Sequence, residues 1–237
     1  MVLPVSIIIP TFNEEKYLPK LLRSIEQQTV KPKEVIVADA FSIDKTRIIA
    51  RDFGCRVVDG GLPAKARNNG ARVATCDLLL FLDADVILPK KFLEKTVEEM
   101  KARKLFIASC FVKPLSSGMM DSVLHGFVNY YMRFTKEFHP HIPGFCIFVK
   151  KTLHDKINGF DESLYMAEDQ DYVERAKRLG NFSYLNSYRI PVSVRRLNKE
   201  GRLKLAVKYT AIELHLLLLG KVRKKIFPYE FGNHTIK

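Results

Sequence analysis

Leu78-Leu79-Leu80-Phe81-Leu82-Asp83-Ala84-Asp85 is the stretch on which the fold turns. Its five large apolar residues run without polar interruption, and a strand buried on both faces of a parallel sheet reads this way. Working outward, Val5 to Pro10 (Val-Ser-Ile-Ile-Ile-Pro) and Glu34 to Asp39 are further β-branched runs, with a shorter one at Arg56 to Val58. Helical patterns separate them. Leu18, Leu21, Leu22 and Ile25 fall at i, i+3, i+4 and i+7, with Pro19 tolerable in the first turn; Asp44 is an N-cap for a helix carrying Ile48, Ile49 and Phe53 that stops at Gly54. Pro63 to Ala74 is a third helix. Strand and helix alternating at this spacing argue for an open, Rossmann-like α/β sheet with right-handed crossovers over residues 1–110. From about Leu105 the order is less regular, with another strand, a helical stretch from Met119 to Lys136, a strand at Cys146 to Val149, and a helix from Glu168 to Leu179 ended by Gly180, so residues 111–200 form a second half. That half is expected to shape the second substrate site.

The chain has 237 residues, 47% hydrophobic and 27% charged, which excludes collagen-like, low-complexity and wholly disordered classes. Cys55, Cys76, Cys110 and Cys146 form no Cys-x-x-Cys pair, so neither a zinc knuckle nor a disulfide scaffold is expected, and reduced thiols in a cytoplasm fit best. Met1 to Pro10 has no basic residue ahead of its apolar run, so it reads as a strand and not as a signal peptide. No apolar run reaches the length of a membrane span; the nearest is broken by Lys204, Lys208, Glu213 and His215.

Applying the rule that ligands bind beyond the carboxyl ends of such strands brings three strand ends to one cleft. Thr11, Asn13 and Glu14 follow the first strand, Asp39 ends the second, and Asp83-Ala84-Asp85 ends the fourth. Carboxylates crowded there repel one another and lose hydration, so they need a cation or hydrogen-bond donors to stay ionised, and a hard divalent metal is the simplest cation. In an extended segment Asp83 and Asp85 point to the same side, where one takes Mg²⁺ or Mn²⁺ while the other bonds a ribose hydroxyl or a metal-bound water. The structural alternatives are a turn former at Asp39 and a helix cap at Thr11 and Asn13. His125, His139, His141 and His154 fit no metal-ligand spacing together and read as polar or core residues.

Ile7 to Glu15 (Ile-Ile-Ile-Pro-Thr-Phe-Asn-Glu-Glu), Val35 to Asp39 with Ser42, Asp44 and Thr46, Ala66-Arg67-Asn68 with Gly70, and Phe81 to Asp85 together resemble the nucleotide-binding half of glycosyltransferase family 2. Gly159-Phe160-Asp161-Glu162 and Glu168-Asp169-Gln170-Asp171 resemble its acceptor-side motifs. The resemblance covers most of Val5 to Arg196. It implies a GT-A fold, a Rossmann-like mixed sheet flanked by helices, and inverting transfer of a sugar from a nucleotide diphosphate donor. Pro10, Thr11, Asn13, Glu14 and Asp39 would then line the base and ribose, Asp83 the ribose and metal, Asp85 the metal, and Asp169 would be the catalytic base. Glu168, Asp169 and Asp171 also suit the first turn of a helix on dipole grounds alone. Arg195 and Arg196, in a loop after a short strand, resemble the diphosphate-binding element, and Arg67 is a second candidate for the phosphates. Ala40-Phe41 departs from the usual small or acidic pair, leaving uracil and guanine both open as the base.

Thirty-nine Lys and Arg against 26 Asp and Glu leave a net charge of +13, and Arg195 to Lys237 holds eleven of the basic residues against three Glu. Residues 201–237 read as a basic helical extension. Within it Leu203 to Leu219 is apolar around most of a helix, with Lys204, Lys208 and His215 on a narrower strip and Lys221, Arg223, Lys224 and Lys225 following. Such a helix packs on the catalytic unit or lies in a lipid interface beside anionic headgroups, and residues 203–225 are expected to touch the inner face of a membrane that presents a lipid-linked acceptor. Two other classes compete. A sugar-nucleotide nucleotidyltransferase would carry a Gly-rich phosphate loop near its start, which Thr11-Phe12-Asn13-Glu14 is not, and a nucleic-acid-binding module would need a reader motif, which is missing.

Overall fold

The computed structural model describes residues 2–224 and 226; Met1, Lys225 and residues 227–237, the end of the basic extension, lie outside the described residues. Chain order is β1 (Val2–Thr11), α1 (Leu18–Glu26), β2 (Lys31–Asp39), α2 (Thr46–Asp52), β3 (Arg56–Asp59), α3 (Pro63–Val73), β4 (Leu78–Leu82) and α4 (Phe92–Ala102). Then come β5 (Ile107–Pro114), α5 (Met119–Thr135), β6 (Cys146–Lys150), α6 (Lys151–Lys156), α7 (Glu168–Lys177), β7 (Phe182–Val192), α8 (Arg195–Glu200) and α9 (Arg202–Leu219). The strands make one sheet in the order β3-β2-β1-β4-β6-β5-β7. β6 runs antiparallel to both β4 and β5, and every other pairing is parallel. The sheet is therefore mixed.

Each face carries its own core. Leu18, Leu21, Leu22 and Ile25 of α1 pack on one face with Ile7, Ile9 and Leu80, each burial contributing roughly 1.5–3 kcal/mol over exposure. On the other, Ile8, Leu79 and Phe81 meet α3 and α7. A Cβ at Gly70 would stand 2.4 Å from Ile8 Cγ2, so α3 lies on β1 only because that position lacks one. Leu79 through Leu82 are fully buried, as a central strand requires.

The sequence-based elements hold with shifted ends: α3 stops one residue before Ala74, α7 stops at Lys177, and the helix after Asp44 starts at Thr46, whose N–H the Asp44 carboxylate accepts at 2.9 Å. Two expectations change. Arg195 and Arg196 open the short helix α8 instead of sitting in a loop, and the strand before them is eleven residues long. α9 buries Leu205 and Ile212 and leaves Leu203, Val207, Leu214 and Leu217 to Leu219 exposed.

Candidate active site

β1, β2 and β4 end on the same side of the sheet, which brings Thr11, Asp39 and Asp83 together by register alone: Thr11 pairs directly with Asp39. Asp39 is fully buried. Its carboxylate accepts from the Thr11 hydroxyl at 2.9 Å, the Ser42 hydroxyl at 2.6 Å and the Ser42 N–H at 2.9 Å, with Arg47 Nη1 at 3.7 Å. Thr11 thus holds Asp39 in place. Asn13, at φ 53°, fixes the facing loop: its N–H donates to Ser42 Oγ at 2.8 Å and its Oδ1 accepts from the Ile43 N–H at 2.9 Å. Pro10 is buried near the end of β1, paired with Ala38 in the neighbouring strand. Phe41 also has positive φ, 58°, and projects into solvent beside Asp39.

Two arginines supply the cations that the crowded acids need. Arg195 forks onto Glu14, Nη1 to Oε2 and Nη2 to Oε1 at 2.8 Å each, places Nε 2.9 Å from Asp85 Oδ2, and stacks over the Tyr17 ring at 4.6 Å. Arg67, almost entirely buried, donates from Nη1 to Glu168 Oε1 at 2.8 Å and from Nη2 to Asp83 Oδ1 at 3.0 Å. Burial would lower its pKa, and the surrounding Asp83, Glu168 and Asp169 carboxylates outweigh that and raise it. Arg67 therefore bridges the end of β4 to the start of α7 instead of standing open to phosphate. Arg196 is exposed, with Nη1 3.3 Å from Tyr209 Oη. Burial also pushes the carboxyls of Glu14 and Asp85 above their ordinary range despite Arg195.

The two motifs read from the sequence as acceptor-side are locked onto the same helix α3. Asn68 donates to the Phe160 carbonyl at 2.9 Å and accepts the Phe160 N–H at 2.8 Å, while Phe160 stacks on Tyr172 at 3.9 Å and lies under the Arg67 guanidinium at 5.4 Å. Asp169 stands two residues after Ala167, a non-glycine residue at φ 59° and ψ 33°; such a conformation costs about 1–2 kcal/mol and persists where the surroundings over-determine it. Asp169 Oδ2 accepts from the Gly144 N–H at 2.8 Å and Oδ1 from the Gln170 N–H at 2.9 Å. Burial, then the neighbouring Glu168 carboxylate, push its pKa up to about 7, against the pull of Arg67 and the two N–H groups. A Cβ at Gly144 would meet Arg67 Nη2 at 2.6 Å and Asp169 Oδ2 at 3.4 Å, so only glycine fits between them.

The histidines divide. His125 Nδ1 meets the Asp121 carbonyl at 2.6 Å and His154 Nδ1 meets Tyr172 Oη at 2.8 Å, as polar and core residues do. His139 and His141 instead converge with Glu213 from α9, which the spacing of the histidines alone does not reveal because the third member is 72 residues further on. The four cysteines are free and buried.

A sequence model described as Glycosyl transferase family 2 matches residues 6–157. The 4,4'-diaponeurosporenoate glycosyltransferase of Staphylococcus haemolyticus is 35% identical over 123 residues, 46% of this chain and 32% of that relative. Among solved structures, S. aureus TarS 1–349 in complex with UDP-GlcNAc aligns with a TM-score of 0.65 at 22% identity, over 80% of this chain and 58% of its own. The mannosyltransferase PcManGT from Pyrobaculum calidifontis, in complex with GDP-Man and Mn²⁺, aligns with a TM-score of 0.68 at 21% identity, over 89% and 64%. The chain matches between 22% and 33% of the length of the curated relatives. Those neighbours share the mixed sheet with flanking helices, so the GT-A fold expected from the motifs holds. Since the family match runs from β1 through α6 and takes in the ends of β1, β2 and β4 that build the acidic cleft, the chain belongs to glycosyltransferase family 2.

Proposed function

We propose that this chain is the catalytic unit of an inverting glycosyltransferase that takes a sugar from a nucleoside diphosphate and passes it to a hydroxyl or polyprenyl phosphate. One observation carries the reading: Arg67 joins Asp83, at the donor end of β4, to Glu168, beside the partly exposed and proton-affine Asp169. Donor site and base are thereby held in one rigid frame. Asp39 reads the ribose and base, with Thr11, Asn13 and Pro10 setting its loop, and Arg195, poised on Glu14 and Asp85, meets the diphosphate oxygens with Arg196 beside it. Asp169 accepts the acceptor's proton as the new bond forms, and its two N–H partners fix the direction of its lone pairs.

Asp83 and Asp85 suit Mg²⁺ or Mn²⁺, being hard oxygen donors, and burial keeps the Asp85 carboxyl above its ordinary range even beside Arg195, so a further cation would be favoured there. Bound there, the ion would neutralise charge on the departing diphosphate. TarS bound to UDP-GlcNAc and PcManGT bound to GDP-Man and Mn²⁺ support a nucleotide-sugar donor with either base. A thermal-shift series of UDP, GDP and their sugars with and without Mn²⁺ checks this. Ligand at a hundred times Kd adds about 2.7 kcal/mol, or roughly 5–10 °C for a chain of this size, and the shift should require Mn²⁺ and vanish in Asp85→Asn. Indifference to every nucleoside diphosphate with metal present would sink the proposal.

Residues 1–200 are read as this catalytic unit and 201–237 as its basic extension, a membrane-contacting one. No helix among the described residues is long and apolar enough to cross a membrane. α9 exposes Leu203, Val207, Leu214 and Leu217 to Leu219, with exposed Lys221, Arg223 and Lys224 following. α5, tied to α9 by Arg202 Nε on Asp121 at 2.7 Å, exposes Met119, Met120, Val123, Phe127 and Phe134. Apolar surface flanked by cations is what an anionic interface attracts. Co-sedimentation with vesicles containing phosphatidylglycerol should pellet the protein, neutral vesicles should pellet less of it, and equal recovery in the supernatant with both would reject the membrane role.

A further inference from the structure

Away from the acidic cleft, the segment between α5 and β6 faces α9 through a second set of metal-binding side chains. His139 Nε2 and His141 Nε2 each lie 3.4 Å from Glu213 Oε2, and one donor atom from each residue lies within 4.8 Å of the other two. A tetrahedral zinc ion with bonds of about 2.0–2.2 Å sets neighbouring donors about 3.3–3.6 Å apart. Glu213 Oε2 is shielded from solvent and faces both rings without a hydrogen bond of good geometry. A buried carboxylate oxygen left that way is costly. The surroundings complete the pattern of an outer shell. Glu174 Oε1 stands 3.3 Å from His139 Nδ1, as a carboxylate orienting a metal-bound imidazole does, and leaves Nε2 directed at Glu213. Gln170 Nε2, 3.2 Å from His139 Nε2, and Tyr131 Oη, 3.3 Å from His141 Nε2, stand where a bound ion would displace them from those nitrogens.

We propose that His139, His141 and Glu213 form a second metal site, which takes Zn²⁺ or a similar borderline transition ion, with water in the fourth position, and clamps α9 to the wall formed by residues 139–141. Two imidazoles and one carboxylate favour such an ion over the Mg²⁺ or Mn²⁺ that suits Asp83 and Asp85, so the two sites differ in chemistry as well as in place. Gln170 links the clamp to Asp169, its neighbour in sequence and the acceptor of its N–H. The inference stands independently of the proposed transfer reaction.

The test uses untagged full-length protein carrying Asp83→Asn and Asp85→Asn, stripped with chelator, so that the acidic pair does not compete for metal. Titration with Co²⁺ should reach a single equivalent with the intense visible bands of four-coordinate Co²⁺, which Zn²⁺ then bleaches by displacement. Glu174→Gln, which leaves all three ligands in place, should weaken Zn²⁺ binding about 10–100-fold. His141→Ala and Glu213→Gln should abolish the bands. Absence of the bands in the protein with all three ligands overturns the proposal, as does metal uptake that His141→Ala and Glu213→Gln leave unchanged.

Discussion

Asp169→Asn should lower turnover by about 10²–10⁴, the usual worth of a positioned general base, while the Kd for nucleoside diphosphate stays within about twofold. Under the proposed roles the asymmetry follows from place: Asp169 is held by Gly144 and Gln170, whereas Asp39 and Asp83, the acids proposed to meet the nucleotide, take their bonds from Thr11, Ser42 and Arg67. The pH dependence carries a second signature. With a pKa pushed up to about 7, the wild-type carboxyl is protonated in slightly acidic solution and useless as a base there. The rate constant kcat/KM should fall about tenfold per unit below pH 7 and level off above it, and the acid limb should be missing from the residual activity of Asp169→Asn. Stability moves the other way. A carboxyl whose folded-state pKa exceeds its unfolded one draws a proton on folding, so its contribution weakens as pH rises from about 4 to about 7 and is flat above. The wild type should therefore lose stability relative to Asp169→Asn across that window, in paired urea titrations. Near-normal turnover in the variant would remove Asp169 from the chemistry, and a nucleotide affinity that fell in step with turnover would point to a collapsed site.

How far the sequence discloses this site depends on how each residue is placed. Thr11, Asp39, Asp83 and Asp85 are legible because a buried β-branched or leucine run fixes where a strand ends, and parallel register does the rest. The reversal of β6 is harder to read: Cys146 to Lys150 has the composition of any buried strand, and its direction is set by the path of α5 and the loop after it. α4 carries Phe92, Leu93, Val97 and Met100 on one buried face, a periodic signal present in the sequence. The ion pairs escape altogether. Arg67 reaches Glu168 across 101 residues and Arg195 reaches Glu14 across 181; a single arginine beside many acids does not say which it will meet, because closure of the tertiary structure chooses. For the same reason the sequence does not disclose that Arg67 and Arg195, both read as phosphate candidates, also pair with the protein's own carboxylates.

Arg67→Ala is expected to be the most destabilising single change in the site, by about 3 kcal/mol. Removing one partner of a buried charge cluster normally costs about 3–5 kcal/mol, and the lower end applies because Asp83 is 40% exposed and water relieves it, while Glu168 at 13% is left largely uncompensated. Loss of the guanidinium over Phe160 adds to the deficit and the orphaned Arg67 Nε, which has no hydrogen-bond partner, subtracts from it. For a chain of this size the midpoint should drop by roughly 6–12 °C. Arg67→Lys should recover less than half, because a point charge cannot span Asp83 and Glu168 as the fork does. The charge argument is separable from packing: adding Glu168→Gln to Arg67→Ala removes the stranded carboxylate and should restore about 1–2 kcal/mol, although the same substitution in the wild type, where Arg67 needs that partner, should destabilise. A double-mutant cycle in urea measures the difference directly, and additive losses would mean that Arg67 acts by filling space between α3 and α7, with no coupling of charge between the two halves of the cleft.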